Sequence, residues 1–212
     1  MLFEIHCHST FSDGRASPKQ IVDYAKGFLD GIAVTDHDSI LGTLEALKYQ
    51  SDKFTVIPGM EVSSKDGHIL ALNVRELLPK DLHAKETIER IHALGGLAIA
   101  AHPYDRWRLG VGDLILKLEF DAVEVLNGHT FTNTRDPMKV CLSAGIPVVG
   151  GSDAHTLSEI GLVLTEFDGE FTSALKSGRT KVKGRPTTEL MMRHGVGLIH
   201  RKILKRLGRR GH

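Results

Sequence analysis

The sequence predicts an α/β fold in which helices cover a parallel sheet. Short apolar runs alternate along the chain with segments whose apolar residues recur at helical spacing. Glycines such as Gly31 and Gly95-Gly96 separate these segments, and the 212 residues suit a single barrel of about seven or eight strand–helix units. A composition of 41% hydrophobic and 25% charged residues is that of an ordinary soluble globular protein.

The first half of the chain is expected to alternate strands and helices. Its first helix begins at Ser17 and Pro18, because serine caps a helix N-terminus well and proline is favoured in the first turn. That helix ends before Gly31. The elements expected here are strands at residues 2–5, 32–35 and 55–58 and a second helix at residues 41–49.

The second half continues the alternation. We expect strands at residues 68–74, 97–101, 121–126 and 147–150 and helices at residues 85–94 and 138–144. Strands that alternate with helices favour a parallel sheet. In a closed parallel barrel the carboxyl ends of all strands lie at one rim, so polar residues that follow the strands would meet there.

Histidines and carboxylates are concentrated at those strand ends. His6 and His8, two residues apart in an extended strand, point to the same side, while Cys7 points to the other. Asp153 and His155 repeat this spacing later in the chain. The nine candidate donors are His6, His8, Asp13, His37, Glu61, His68, His102, Asp153 and His155.

This donor set predicts a metal centre. Imidazoles mixed with carboxylates, with no thiolate on the same side, favour Zn, Mn or Fe over Ca or Mg. One tetrahedral ion takes about four donors. Nine donors therefore indicate two or three divalent ions, with a carboxylate that bridges a pair.

The composition argues against several other classes of protein. Cys7 and Cys141 are too few for a disulfide framework. No stretch approaches the roughly 20 apolar residues of a membrane helix, and the N-terminus lacks a basic segment followed by an apolar one. We therefore expect a cytoplasmic protein without a membrane span, and the sequence leaves its oligomeric state open.

Charge is distributed unevenly along the chain. The last twenty residues hold seven of the 27 basic residues and no acidic residue, so residues 1–192 carry a net charge of about −6. We expect a barrel at residues 1–188 and a basic, helical tail at residues 189–212. Ile199, Ile203 and Leu207 recur at helical spacing in that tail. We expect it to dock on the acidic outside of the barrel, with a weak contact to nucleic acid or to an anionic membrane surface as the alternative.

Seven motifs follow one another between about residues 3 and 165. They are His6-x-His8, Ser12-Asp13-Gly14, Thr35-Asp36-His37-Asp38, Gly59-Met60-Glu61, His68, Ala101-His102-Pro103 and Gly151-Ser152-Asp153-Ala154-His155. This ordered set closely resembles the PHP (polymerase and histidinol phosphatase) family of phosphoesterases. The resemblance implies a distorted (β/α)7 barrel with a di- or trinuclear metal centre.

The resemblance also implies how the donors share the ions. One ion would be held by His6, His8, Glu61 and Asp153. A second would be held by Glu61, His68 and His102, and a third by Asp13, His37 and His155. Asp36 and Asp38 are expected to orient ligand imidazoles, or Asp38 to cap the next helix. His129 is not expected to be a ligand.

The implied activity is hydrolysis of a phosphate ester of a small metabolite or nucleotide. Two neighbouring ions would provide a bridging hydroxide that attacks phosphorus in line with the leaving oxygen. We take Glu61, Asp153 and His155 as the catalytic residues. The candidate substrate-binding residues are Arg106, Asn127 and Arg15, with Arg135 as a weaker candidate.

Two other functions stay open. Amidohydrolase barrels also open with His-x-His and close with a late aspartate, although they usually need a longer chain and a bridging lysine. A non-catalytic, nucleic-acid-associated module of the same fold is the second alternative. It is less favoured because every expected ligand position is filled. The sequence does not identify the substrate.

Overall fold

The structure of this protein is a computed structural model that describes residues 1–105, 107–130 and 132–184. Its strands are β1 (Leu2–Cys7), β2 (Gly31–Val34), β3 (Thr55–Ser64), β4 (Gly67–Leu72), β5 (Leu97–Ala100), β6 (Ala122–Asn127), β7 (Val148–Gly151), β8 (Val163–Glu166) and β9 (Lys181–Gly184). Its α-helices are α1 (Pro18–Ala25), α2 (Leu41–Ala46), α3 (Ala84–Ala93), α4 (Pro137–Ala144) and α5 (Phe171–Lys176). Short 3-10 helices follow α2, β5 and β7.

The strands form one sheet that curls into a nearly closed barrel. Their order is β7-β6-β5-β4-β3-β2-β1-β8-β9. The chain just beyond β7 returns to β1, where Cys7 and Ala154 form a parallel bridge and the His8 N–H donates to the Ala154 carbonyl at 2.8 Å. The predicted α/β barrel is therefore confirmed.

The core has an inner and an outer layer because successive strand residues point to opposite faces of the sheet. The barrel interior is apolar and takes side chains from most strands, such as Ile5, Ala33 and Ile99. On the outside, Ile88 and Ile91 of α3 pack against the other face of the sheet. This packing leaves the polar side chains at one rim.

The predicted parallel sheet is only partly correct. β1, β2 and β3 are parallel, as are β5, β6 and β7, but β4 is antiparallel to both of its neighbours. Two residues, Lys65 and Asp66, join β3 to β4, and so short a connection makes a hairpin and not a crossover. The reversal places His68, near the start of β4, opposite Ser63 at the end of β3.

Strand β3 is longer than the expected 55–58. It pairs with β2 as far as Pro58 and then changes partner, so that Gly59 pairs with Leu72 of β4. Glu61 therefore stands inside a strand and not in a turn after it. It also bridges to His37 beyond the end of β2.

The helix prediction at Ser17 is confirmed. The Ser17 hydroxyl accepts from the Gln20 N–H, and the Gln20 side chain returns a bond to Ser17. The expected helix at 41–49 is divided, because the α-helix ends at Ala46 and a 3-10 turn follows. The elements β8, α5 and β9 were not predicted.

The tail predicted at residues 189–212 lies outside the described residues, as do residues 185–188 and Arg106. The expected boundary at residue 188 and the expected helix in the tail stay predictions. Among the described residues, the helices are all too short or too polar to traverse a lipid bilayer.

Candidate metal centre

The structure brings all nine predicted donors to one rim of the barrel. They come from β1, β3 and β4 and from the segments that follow β1, β2, β5 and β7. Three groups have potential ligand atoms within 4.8 Å of one another: His6, His8 and Glu61; His37, Glu61 and His68; and His8, Asp13, His37 and His155. His102 and Asp153 join them through the contacts described next.

Glu61 lies at the middle of this arrangement. Its Oε2 atom is 3.1 Å from His6 Nε2, 3.3 Å from His8 Nε2 and 3.3 Å from His37 Nδ1. Its Oε1 atom is 3.0 Å from His68 Nδ1 and 3.3 Å from His102 Nε2. Each oxygen of one buried carboxylate thus faces a different set of imidazoles, which is the arrangement expected of a ligand that bridges two ions.

Asp153 also divides its two oxygens between different partners. Its Oδ1 atom is 3.1 Å from His8 Nε2 and 3.5 Å from His6 Nε2. Its Oδ2 atom accepts from Asn127 Nδ2 at 3.1 Å and forms an ion pair with Arg108. One oxygen therefore faces the imidazoles, while the other contacts the guanidinium of Arg108 and the amide of Asn127. We call His6, His8, Glu61 and Asp153 the inner group.

Three donors form a more open outer group, Asp13, His37 and His155. Asp13 Oδ2 is 3.2 Å from His155 Nε2 and 4.0 Å from His37 Nε2. His8 belongs to both groups, because its Nδ1 atom is 3.8 Å from Asp13 Oδ1.

Burial and charge act in opposite directions on the acid–base properties of the inner group. Burial alone would lower the pKa of His6, but the neighbouring carboxylates of Asp153, Glu124 and Glu61 raise it well above its ordinary value. Burial lowers the pKa of His8 to about 4. Burial would raise the pKa of Glu61, yet His6 and His37 hold it well below its ordinary value. The surrounding carboxylates therefore favour the protonated form of His6.

Several buried atoms at the rim fit a divalent ion. Within the described part of the chain, His8 Nδ1, Glu61 Oε1, His68 Nδ1 and His102 Nε2 are buried and make no hydrogen bond. Buried polar atoms in proteins nearly always have a partner, since an unsatisfied one is costly. Three of these atoms meet at Glu61 and the fourth, His8 Nδ1, faces Asp13, and this mixture of imidazole and carboxylate suits Zn, Mn or Fe.

Two of the donors also have a strained backbone conformation. His102 and Asp153 adopt left-handed conformations, with φ values of 31° and 55°. Such conformations are unfavourable for residues with a side chain and occur often at functional sites. Here they turn both side chains towards the rim.

A buried carboxylate that the motifs did not reveal supports the inner group. Glu124 on β6 accepts from His6 Nδ1 at 3.0 Å, from the His102 N–H at 2.9 Å and from Asn127 Nδ2 at 2.8 Å. The bond to Nδ1 leaves His6 Nε2 as the ligand atom. The packing is so close that a Cβ atom at Gly151 would lie 2.6 Å from Glu124 Oε1. The available signal was a charged residue inside an otherwise apolar strand.

The predicted substrate-binding residues differ in their burial and in their hydrogen-bond partners. Asn127 is buried at the centre, and its side chain already bonds to Glu124, Asp153 and Arg108. Arg15 is exposed, with its backbone N–H bonded to the His155 carbonyl at 2.8 Å. Arg106 lies outside the described residues.

Two other arginines lie in the described part of this region, Arg135 and Arg108. Arg135 is paired with Asp113 and lies over the Tyr104 ring at 5.5 Å from its centroid. Among the described residues, Arg108 reaches the centre, through Asp153 and through Asn127 Oδ1 at 3.3 Å. The expectation that Arg106, in the same loop, binds the substrate stays a prediction.

The expected roles of Asp36 and Asp38 are wrong. Asp36 accepts from the Ser9 N–H at 2.7 Å and from Ser12 Oγ at 2.6 Å, and so fixes the turn that carries Asp13. Asp38 accepts from the Ser63 N–H at 2.8 Å, and α2 has Ile40 at its N-cap. Both carboxylates accept hydrogen bonds from backbone N–H groups, because a short side chain that follows a strand reaches the nearest N–H groups first.

His129 is buried beside the outer group. Its Nε2 atom is 3.5 Å from Glu159 Oε2, and its ring stacks on His155 with centroids 5.1 Å apart. Ligand atoms of these three residues lie within 4.8 Å of one another. The expectation that His129 does not bind an ion stays a prediction.

Comparison with known families covers most of the chain. Residues 4–129 match the family described as PHP domain. Residues 138–180 match the family described as PHP-associated.

Individual relatives agree with this match. An uncharacterized protein of Methanocaldococcus jannaschii is 35% identical over 142 residues, which are 61% of this chain and 83% of that protein. A 5′-3′ exoribonuclease of Haemophilus influenzae is 39% identical over 85 residues, 37% of this chain and 31% of the enzyme. A phosphoribosyl 1,2-cyclic phosphate 1,2-diphosphodiesterase of Eggerthella lenta is 34% identical over 103 residues, 44% of this chain and 39% of the enzyme. Both enzyme matches span less than half of the enzyme.

Solved structures show the same fold. A two-domain protein of Bacteroides vulgatus described as containing a PHP-like metal-dependent phosphoesterase superposes with a TM-score of 0.70 and 20% identity, over 87% of this chain and 65% of that one. Endonuclease Q in complex with a duplex substrate gives 0.64 and 19%, over 88% and 60%. Since the PHP domain match spans residues 4–129 of 212 and the barrel is shared, this chain belongs to the PHP family.

Proposed function

We propose that this protein is a metal-dependent phosphoesterase that hydrolyses a phosphate ester of a small metabolite or nucleotide. The observation that carries the proposal is the position of Glu61, whose two oxygens face five imidazoles in two sets. A carboxylate so placed suits a pair of ions that share it. The names of the exoribonuclease and endonuclease relatives support a phosphoester substrate.

Two or three divalent ions would be held by the residues already grouped by geometry. The inner group would hold one, Glu61 with His68 and His102 a second, and the outer group a third. When bound, such ions lower the pKa of a water ligand and neutralise charge that develops on phosphate oxygens. The choice among Zn, Mn and Fe depends on supply as well as ligand type.

Arg108 is the cation that we assign to the substrate phosphate. A guanidinium carries five N–H donors in a planar fork, so Arg108 keeps donors for phosphate oxygens while it contacts Asp153. Asn127 holds both Arg108 and Asp153 in place, with its own amide fully engaged. We therefore give Asn127 a positioning role.

His155 is the acid that we assign to the leaving oxygen when the outer group holds no ion. Burial alone would lower the pKa of His155, but the bond to Asp13 raises it above its ordinary value. The imidazole is one-fifth exposed at the rim, with 20% of its side chain accessible. It can therefore carry a proton to a departing alkoxide.

The test is a panel of phosphoesters with controlled metal. Protein treated with a chelator and then supplied with Zn, Mn or Fe is assayed with p-nitrophenyl phosphate, histidinol phosphate and nucleotides. We expect turnover that requires added metal, with Arg108→Ala raising the Michaelis constant by about tenfold or more, the cost of a lost charge-assisted bond. Arg135→Ala is the control. Absence of turnover on every phosphoester, with any of the three metals, contradicts the proposal.

A further inference from the structure

The proposed hydrolysis assigns no role to a pair of side chains beside the outer group, His129 and Glu159. His129 follows β6, and Glu159 ends the 3-10 helix Leu157–Glu159 that follows β7. His129 Nε2 lies 3.5 Å from Glu159 Oε2, and the two side chains are only 2% and 12% exposed. This contact, shielded from solvent, joins two loops of the rim that are far apart in the chain.

Glu159 fixes the backbone at His155. Its Oε2 atom accepts from the His155 N–H at 2.8 Å and from the Thr156 N–H at 2.9 Å. Hydrogen bonds to a carboxylate are about twice as strong as those between neutral groups. The segment that carries His155 can therefore move only if it gives up two strong bonds to one oxygen.

His129 contacts the ring of the same histidine. The imidazoles of His129 and His155 are stacked, with centroids 5.1 Å apart and an angle of 23° between their planes. His155 also stacks on His8 of the inner group, at 4.5 Å and 29°. The His155 ring is therefore packed against two imidazoles, and one of them, that of His129, lies outside the predicted donor set.

A hydrogen bond decides which nitrogen of His155 is available. Its Nδ1 atom is 2.8 Å from the carbonyl oxygen of Asp153. Because a carbonyl oxygen only accepts hydrogen bonds, Nδ1 carries the hydrogen in this contact. The Nε2 atom, 3.2 Å from Asp13 Oδ2, is then the one that can bind an ion or exchange a proton.

Given the proposed phosphoesterase activity, we propose that His129 and Glu159 are positioning residues that hold His155 Nε2 towards Asp13. Glu159 acts through the backbone of His155 and His129 acts through its ring, so neither needs to touch the substrate. A ligand or acid held in this way has little freedom to lose before the reaction. A displacement of about 1 Å in a reacting group can cost about a hundredfold in rate.

Kinetics of the zinc-loaded, full-length protein test this role on the best substrate of the phosphoester panel. His129→Ala should lower kcat by about 10–100-fold and leave KM unchanged, because Arg108, which we assign to the phosphate, is not altered. His129→Phe should recover most of the lost kcat, since it keeps an aromatic ring against His155. An unchanged kcat in His129→Ala, or a rise in KM alone, overturns the proposal.

The two positioning residues should not act independently, because both act through His155. Glu159→Gln should lower kcat as well, since an amide holds the two N–H groups less strongly than a carboxylate does. The loss in the double variant should be smaller than the product of the two single losses. A loss equal to that product would show that the residues act at separate places, and it would overturn the proposal.

The matched control is His92→Ala. His92 Nε2 is 2.8 Å from Asp121 Oδ2, in a histidine–carboxylate pair on the outside of the barrel. The variant removes the same type of contact away from the centre, so kcat should stay at the wild-type value. Equal losses of kcat in His92→Ala and His129→Ala would show a general loss of stability and overturn the proposal.

A competitive zinc titration makes the test independent of turnover. His129→Ala should weaken binding of the most weakly held zinc ion by about 10–100-fold, with the tighter ions retained. If wild-type protein turns over no phosphoester with any metal but His129→Ala shows this selective loss, the positioning role stands and the proposed hydrolysis does not. In the absence of any turnover, identical zinc affinities in the two proteins overturn the positioning role.

Discussion

The inner and outer groups of the centre are built in different ways. The inner side chains are fully buried, and two of them, those of His6 and Glu61, extend from barrel strands. In the outer group Asp13 has 57% of its side chain exposed and His37 has 25%. The same residue types therefore occupy a rigid, dry position in one case and an open, loop-borne position in the other.

The two groups also differ in the residues that orient their ligand side chains. Glu124 fixes the ring of His6 from within the barrel, whereas Asp36 fixes Asp13 only through the turn of Ser9 and Ser12. A ligand side chain that is hydrogen-bonded to a well-packed neighbour loses less conformational freedom when an ion binds. We therefore expect inner ions to bind more tightly than the outer one.

The largest effect is expected at Glu61. Glu61→Gln removes the negative charge that the five surrounding imidazoles share. Activity on p-nitrophenyl phosphate should fall about a thousandfold or more, beyond the loss seen when one electrostatic contact is removed. Glu89→Gln, on the exposed face of α3, is the control. Activity within tenfold of wild type would show that Glu61 does not join the ions.

A smaller effect is expected at Glu124, which touches the donors and not the substrate. Glu124→Gln should weaken metal affinity by about 10–100-fold, the usual result of losing an outer partner of a ligand imidazole. The measurement is a competitive zinc titration against a chromophoric chelator. Glu119→Gln, at an exposed position, serves as the reference, and equal affinities in the two variants would deny Glu124 this role.

The outer group should be separable from the inner one. Asp13→Asn is expected to lower the number of bound zinc ions by one, with the tight ions retained, because the shortest contact of Asp13 is with His155 of the outer group. Activity should fall less than in Glu61→Gln. Loss of all ions in Asp13→Asn would show that the two groups form one cooperative unit.

The smallest predicted effect is a pH dependence of stability at Glu159. Burial alone would raise its pKa, but bonds from His129 and from the N–H groups of His155 and Thr156 lower it to about 2. Because the folded pKa lies below the unfolded value of 4.5, this stabilisation is complete above about pH 4.5 and is lost as the pH falls towards 2.

Urea unfolding of metal-free protein checks the sign. The gap in unfolding free energy between wild type and Glu159→Gln should be larger at pH 7 than at pH 3. A gap of the same size at both pH values would mean that the carboxylate is not stabilised by its partners.

The geometry of the rim could be anticipated because it depends on strand ends. Residues that follow buried strands converge whatever lies between them, so His6, His102 and Asp153 were found from pattern alone. The expectation held even at His68, where the strand direction was wrong, because reversal of β4 puts its beginning at the same rim.

Other features depend on tertiary contacts that no local pattern encodes. The contact of Arg108 with the centre follows from how the loop after His102 folds against β4. Glu124 was not predicted, because the role of a carboxylate in an apolar strand becomes clear only when its hydrogen-bond partners are known. Asp36 was misassigned because nearby N–H groups compete with imidazoles for a short side chain.

The central claim is that these donors together hold several ions, and the direct measurement is metal content. Protein saturated with zinc, freed of excess by gel filtration and analysed for zinc and for protein, should contain two or three ions per chain. The Glu61→Gln variant should contain fewer under the same conditions. Wild-type protein with no zinc, or with the same content as Glu61→Gln, would contradict the account.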